Sequence, residues 1–176
     1  RLQGDWSSDV CSSDLFSSTT NGRPCLVLEN HHTWWSFCRW NERVGEYSAV
    51  VYGAGGGFGR EAVAFLHEHC RSWKTEVAEY FGDLDREGLT IPWRAATRFA
   101  PSDGVRLVPA TRWYALLLER AEGVSLPCGP AIVVEDEVLR WLPGDLRARA
   151  QGWLDRGARL PQELVGTEQL LALGLG

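Results

Sequence analysis

The sequence predicts an α/β fold in which helices cover a parallel sheet of about four strands. Short apolar runs that suit buried strands alternate, four times before residue 123, with segments whose apolar residues recur at helical spacing. Such alternation is typical of parallel sheets, because parallel neighbours need a crossover connection that is usually a helix. The chain has 176 residues, of which 44% are hydrophobic and 23% charged, and this is enough for one domain with its own core.

The apolar runs, and the glycine, proline and polar residues between them, predict the individual strands and helices. We predict strands at 24–29, 47–52, 76–81 and 105–108, and helices at 60–73, 87–99 and 111–121. The aromatic segment 31–40 is a short helix or a covered loop. Thr111 is the expected N-cap of its helix, and Pro92 is expected near the first turn of its helix or at a break.

The chain changes character after residue 122. Four prolines punctuate short helical stretches such as 144–156, which predicts a C-terminal helical extension and not a second core. We therefore expect residues 16–122 to form the functional domain and residues 123–176 to form this extension.

The first fifteen residues have a different character from the rest. The run from Asp5 to Leu15, DWSSDVCSSDL, resembles the translation of a common sequencing-adapter oligonucleotide, so we expect residues 1–15 to be disordered and outside the fold. A native Ser/Asp-rich disordered leader is the alternative. The chain contains no methionine, and we expect it to be a fragment of a longer protein.

Charge and cysteine content narrow the class of protein. The formal net charge of −5 is not the basic footprint of a stand-alone nucleic-acid binder, so binding of DNA phosphates must come mainly from a local patch, from the part of the longer protein that this fragment lacks, or from a partner. The five cysteines lack CxxC spacing, which indicates reduced thiols in a cytoplasmic protein. No apolar run approaches the roughly 20 residues of a membrane span, so we expect no membrane partner.

Three acidic residues follow predicted strands and form the candidate site. Glu29 ends the first strand, and Asp83 and Asp85 follow the third. Ligands in open parallel sheets bind beyond the carboxyl ends of the strands, so these carboxylates are expected on one rim. They are hard oxygen ligands of the kind that Mg²⁺ prefers. The alternative is structural, with Asp85 capping the next helix and Asp83 in a solvated turn.

These residues carry a resemblance to a known family. A strand-end glutamate followed by DxD resembles the signature of Toprim (topoisomerase-primase) domains, and the run from Asp83 to Ile91, DxDxxGxxI, resembles the A subunit of topoisomerase VI. The wider context, LVLEN at 26–30 and YFGDLDREGLTI at 80–91, is most similar to the C-terminal Toprim domain of JetD, the nuclease subunit of Wadjet anti-plasmid defence systems. A weaker similarity, LPQE at 160–163, lies near that family's C-terminal Gln-Glu element.

The resemblance implies a Toprim-like fold and a metal-dependent endonuclease that cuts double-stranded plasmid DNA. Glu29 would be the Toprim glutamate, Asp83 and Asp85 the metal-binding aspartates, and Glu87 a further ligand, with Mg²⁺ or Mn²⁺ as cofactor. SMC-type motor subunits and a second copy of the chain would be partners. Another Toprim nuclease or topoisomerase relative, or a non-catalytic Toprim module for dimerisation or DNA docking, is the alternative.

Other motifs give weaker indications. The run Gly57-Phe-Gly59-Arg-Glu-Ala62 fits the loose GxGxxA form of a nucleotide-binding turn, but a tight turn or a close approach of the backbone to DNA phosphate is the better interpretation. The run His67-Glu-His69-Cys70 lacks zinc-ligand spacing, so packing histidines are the better interpretation. His31 and His32 closely follow Glu29, and one of them is a candidate contact for substrate phosphate.

Overall fold

The computed structural model describes residues 16–18, 22–54, 58, 60–99 and 104–173. Its five-stranded sheet has the order β1-β3-β2-β4-β5, and β2 to β5 are mutually parallel. This confirms the predicted α/β class and the four parallel strands. The strand bounds are β1 Phe16–Ser18, β2 Cys25–Leu28, β3 Ala49–Tyr52, β4 Val77–Phe81 and β5 Arg106–Pro109.

Seven α-helices and a short 3-10 helix are described around the sheet. The helix bounds are α1 His31–Val44, α2 Arg60–Trp73, α3 Arg86–Ala96, α4 Thr111–Glu122, α5 Asp136–Leu139, α6 Gly144–Asp155 and α7 Thr167–Leu173, with the 3-10 helix at Gln162–Leu164. Helices α1 to α4 each follow one parallel strand, as the alternating pattern predicts.

Both faces of the sheet are covered, as the central strand shows. All four residues of β2 are fully buried, and their side chains alternate between two apolar clusters. Leu26 and Leu28 pack with the side chains of α1 and α4, whereas Cys25 and Val27 pack with those of α2. A strand covered on both faces needs apolar residues at every position, which explains the continuous run that marks β2 in the sequence.

The C-terminal segment belongs to the same core as the sheet. Leu146, Leu154 and Leu170 are buried in one cluster with Leu26 and Leu28 of the central strand. Helix α6 packs on α4, and α7 packs on α1. The segment after residue 122 therefore helps to complete the core of the sheet, and the division into a domain of residues 16–122 and an extension stays a prediction. No helix in the described ranges is long and apolar enough to cross a membrane.

Two local predictions are wrong, and one strand was not predicted. Thr111 is the first residue of α4 and not its N-cap, which is Ala110, and its hydroxyl donates to the Pro109 carbonyl instead. Pro92 lies in the second turn of α3, inside a helix that continues to Ala96 without a break. The sheet also has an antiparallel edge strand, β1, which pairs with β3 and had no equivalent among the predicted strands. The disorder predicted for residues 1–15 concerns residues outside the described part of the chain.

Candidate active site at the carboxyl ends of two central strands

The candidate site lies where the connections of two adjacent strands diverge. Strand β2 leads through α1 to β3, and β4 leads through α3 to β5, while β3 and β5 lie on opposite sides of the β2–β4 pair. Divergent connections open a crevice at the carboxyl ends of the two strands, where ligands of open α/β sheets bind. Glu29 and Asp83 follow these two strands and therefore occupy the crevice.

Glu29 and Asp83 are in direct contact. The backbone N–H of Asp83 donates to Glu29 Oε2 at 3.2 Å, and the backbone N–H of Glu29 donates to the Phe81 carbonyl at 3.2 Å. The Glu29 carboxylate lies over Gly82, where a Cβ atom would come within 2.3 Å of Oε2. Glycine at position 82 therefore leaves the space that the glutamate side chain occupies.

Asp85 has a structural role that the sequence offered as the alternative. It is the N-cap of α3, and its Oδ1 accepts from the Gly88 backbone N–H at 2.8 Å. Its other oxygen, Oδ2, lies 3.9 Å from the exposed Arg159 guanidinium. Glu87 is exposed in the first turn of the same helix. Both side chains lie beside the Glu29–Asp83 pair and not in direct contact with it.

Gln162 connects the ends of both strands, although it lies 79 residues after Asp83. Its backbone N–H donates to Asp83 Oδ1 at 2.8 Å, its Nε2 donates to the Phe81 carbonyl at 3.1 Å, and its Oε1 accepts from the Asn30 backbone N–H at 2.7 Å. Gln162 is fully buried. The similarity at LPQE placed a Gln-Glu element here, but nothing in the local sequence indicated these contacts.

The site holds uncompensated negative charge. Burial raises the pKa of Glu29 to about 7, and the negative charges of Asp83, Asp85 and Glu87 act in the same direction. Burial also raises the pKa of Asp83, against the opposing effect of the Gln162 N–H bond. Within the described residues, neither Glu29 nor Asp83 forms a salt bridge. The crevice therefore favours a proton or a cation near neutral pH.

The raised pKa of Glu29 predicts a gain in stability when its charge is removed. Between pH 4.5, the ordinary pKa, and about 7, the folded protein binds more protons than the unfolded chain, so the free energy of unfolding falls as pH rises. We expect Glu29→Gln to be more stable than the parent by about 2–3 kcal/mol at pH 8, with little difference below pH 4.5. Urea unfolding at both pH values checks this, and equal stability at pH 8 would contradict it.

The donor set suits a hard divalent cation, but the structure does not assemble a three-ligand cage. Among the residues described, no three His, Cys, Asp or Glu side chains lie close enough together to hold one metal ion. Mg²⁺ is commonly held by one or two carboxylates plus substrate phosphates, so the Glu29–Asp83 pair fits that mode of binding. Asp85 joins such a pair only if Oδ2 turns from Arg159 towards the crevice.

A cleft of about 370 Å³ opens beside the carboxylate pair and gives it access to a ligand. Its lining residues are Glu29, Asn30, His31, Tyr52, Ala54 and Asp83. The exposed His31 ring lies 5.4 Å from the Tyr52 ring, edge to face. Of the two histidines that follow Glu29, His31 lines this cleft, and its contact with substrate phosphate stays a prediction.

Of the remaining sequence motifs, the histidine run has a packing role. His67 stacks on Phe99, and His69 stacks on Phe65 and hydrogen-bonds to its carbonyl, which is the packing role expected of them. The loose GxGxxA run includes Gly57 and Gly59, which lie outside the described residues, so its nucleotide-binding interpretation stays a prediction.

Comparison with known proteins adds no relative to these observations. No protein-family model matches the chain, and neither does any curated protein or solved structure. The residues of the crevice and the resemblance in the motifs that contain them are therefore the observations that bear on function.

Proposed function

We propose that the chain is the metal-dependent endonuclease domain of a JetD-like protein and hydrolyses phosphodiester bonds of double-stranded plasmid DNA. The observation that carries the proposal is the Glu29–Asp83 pair at the point where the connections of β2 and β4 diverge, with the pKa of Glu29 raised to about 7. The Toprim-like motifs contain the same two residues, Glu29 and Asp83. As a fold alone does not imply a function, the proposal depends on this site.

Each carboxylate has a role in the proposed reaction. Glu29 and Asp83 would hold Mg²⁺ or Mn²⁺, with Asp85 as a third ligand and Glu87 as an outer one. Such an ion supplies Lewis-acid stabilisation of the phosphate and lowers the pKa of attacking water. In a reaction where Asp83 and Asp85 hold the ion and Glu29 does not, the Glu29 carboxyl, with a pKa of about 7, would instead exchange a proton close to neutral pH, as general acid–base catalysis requires.

The surroundings of the pair leave room for a large anionic substrate to approach from solvent, provided that a bound cation offsets the negative charge of the carboxylates. The cleft is open on one side, and the exposed His31 lies on its wall. His31 begins α1, where the helix dipole also favours a phosphate. The overall charge of −5 does not favour DNA, so the proposal includes partners that bring DNA to the site: SMC-type motor subunits and a second copy of the chain.

A non-catalytic Toprim module for dimerisation or DNA docking is the second candidate. It is favoured by Asp85, whose Oδ1 caps α3 and whose Oδ2 faces Arg159, and by the Glu29–Asp83 contact, which runs through the Asp83 backbone N–H. Under this alternative the acidic residues maintain the fold, and the chain binds DNA or its own copy without cutting.

Plasmid cleavage distinguishes the two candidates. We expect the 176-residue chain to nick or linearise supercoiled plasmid with Mn²⁺, and we expect both Asp83→Asn and Asp85→Asn to abolish cutting. Asparagine caps a helix about as well as aspartate, so Asp85→Asn removes a ligand while α3 keeps its cap. Asp145→Asn, at an exposed acid in the first turn of α6, is the matched control.

Two results would contradict the nuclease proposal. Undiminished cutting by Asp83→Asn would show that the crevice is not the active site. Retention of plasmid in a gel-shift assay without any cutting would favour the docking module instead.

A further inference from the structure

The segment 159–163, named here the C-terminal clasp, crosses the carboxyl ends of β2 and β4. Leu160 exchanges two backbone hydrogen bonds with Leu84, at 2.9 and 3.3 Å. Glu163 accepts a hydrogen bond from the Asn30 side chain, and Arg159 lies beside Asp85. The clasp therefore contacts the residues that flank Glu29 and Asp83 along the chain.

Within the clasp, Gln162 forms hydrogen bonds through its backbone N–H and through both polar atoms of its side chain. One amide group bonds to the Phe81 carbonyl on β4 and to the Asn30 N–H after β2, while its backbone N–H bonds to Asp83 itself. The Phe81 carbonyl also accepts from the Glu29 N–H. One buried side chain thus ties together the backbone on both sides of the carboxylate pair.

The side-chain amide of Gln162 forms hydrogen bonds with the backbone after both strands, and an apolar residue in its place would lose both bonds. A planar amide offers a donor and an acceptor a fixed distance apart, which matches one carbonyl and one N–H on neighbouring strands. Without it, the Asn30 N–H would lose its partner at a partly buried position, and the strand ends would keep the bond from the Glu29 N–H to the Phe81 carbonyl but lose the link through the amide. The Asp83 carboxylate would keep its hydrogen bond from the Gln162 backbone N–H, so replacing the Gln162 side chain isolates the contribution of the amide.

We propose that Gln162 is a positioning residue that fixes the separation and orientation of Glu29 and Asp83 for cation binding. This inference rests on the proposed function, because it assigns the carboxylate pair to a metal ion. It makes the C-terminal segment part of the site: the domain of residues 16–122 contains the ligands, and residues 159–163 set their geometry.

The test compares Gln162→Met with Gln169→Met in the full 176-residue chain. Methionine preserves length and apolar volume but removes the amide. Gln169 is a matched control because its Oε1 also accepts a backbone N–H, that of Gly166, at 2.9 Å and away from the carboxylates. Mn²⁺ affinity is measured by calorimetry at a temperature where urea unfolding shows each variant to be folded. If Gln162→Met does not fold, Gln162→Asn, whose amide is one methylene shorter, replaces it.

We expect the Gln162 variant to bind Mn²⁺ between about 10-fold and 100-fold more weakly than the parent, as is typical when a residue that orients a ligand is removed. The Gln169 variant should stay within about 2-fold. A purely structural role would lower the stability of the folded protein and leave its Mn²⁺ affinity unchanged, and that result would overturn the inference while the proposed function stands.

A parent chain that fails to bind Mn²⁺ contradicts the proposed metal site, and hydrogen exchange then decides the role of Gln162. Faster exchange of the Asn30 and Glu29 amides in Gln162→Met than in Gln169→Met would support a role in fixing the strand ends. Equal exchange in the two variants would overturn it. The failure of the function and the failure of the positioning role are therefore distinguishable.

Discussion

Replacing Asp83 by asparagine is expected to weaken Mn²⁺ binding by the chain on the order of 100-fold or more, because residues that only orient a ligand already contribute 10-fold to 100-fold. Asp83 is in contact with Glu29, and burial raises the pKa of the Asp83 carboxyl. Among the described residues, no basic side chain forms a salt bridge with Asp83. A divalent ion would therefore enter a site whose negative charge is not neutralised by the protein.

Calorimetry with the full chain measures this effect directly. Glu29→Gln should weaken binding as strongly as Asp83→Asn, whereas Asp145→Asn should leave the affinity within about 2-fold of the parent. Glu87 is exposed and lies outside the contact pair, so Glu87→Gln should have the smallest effect of the four candidate ligands. The metal-site proposal fails if Asp83→Asn and Asp145→Asn bind Mn²⁺ equally well.

Replacing Gly88 by alanine is expected to lower the free energy of unfolding by about 3 kcal/mol, at the upper end of the usual effect of overpacking. A Cβ atom at this position would lie 2.2 Å from the Asp83 carbonyl oxygen and 2.9 Å from the carbonyl carbon. Both atoms belong to the backbone and cannot turn away as a flexible side chain would. The first turn of α3 must therefore move away from Asp83.

The same displacement would disturb the site, because Gly88 donates its N–H to Asp85 and packs on Asp83. Urea unfolding measures the stability effect, with Gly152→Ala as the control. Gly152 lies inside α6 with open space around the added methyl group, so alanine there should stabilise the protein by about 0.5–1 kcal/mol. A Gly88 variant as stable as the parent would show that α3 does not pack on Asp83 as described.

Packing also explains two glycines that the sequence offered only as parts of a motif. Gly82 leaves space for the Glu29 carboxylate, and Gly88 allows α3 to begin against the Asp83 backbone. A glycine read in sequence indicates that a turn or a close approach is possible. Which atom makes the approach depends on residues far along the chain, and for Gly82 that atom belongs to a residue 53 positions earlier.

The stability expected of Glu29→Gln also bears on function. A buried carboxylate with a pKa near 7 and no basic partner lowers the stability of the folded state at pH 8. Residues that are unfavourable for folding are often those on which activity depends, because selection retains stability only above a threshold. A gain in stability together with a loss of Mn²⁺ binding in the same variant would identify Glu29 as a functional residue.

The sequence by itself determined the α/β class, the four parallel strands and the placement of Glu29 and Asp83 at strand ends. These features follow from local periodicity and from buried strands that need apolar residues on both faces. The pairing of β1 with β3 joins residues far apart in the sequence, so β1 was missed. Helix α4 has Ala110 and not Thr111 as its N-cap, which the residue types alone did not indicate.

Only the tertiary structure decided the composition of the site. It placed β2 beside β4, which brings Glu29 into contact with Asp83. It also brought Gln162 from the C-terminal segment onto both strand ends. Hydrogen bonds between residues 54 to 132 positions apart leave no periodic signal in a single sequence, because their partners are chosen by the packing of the core.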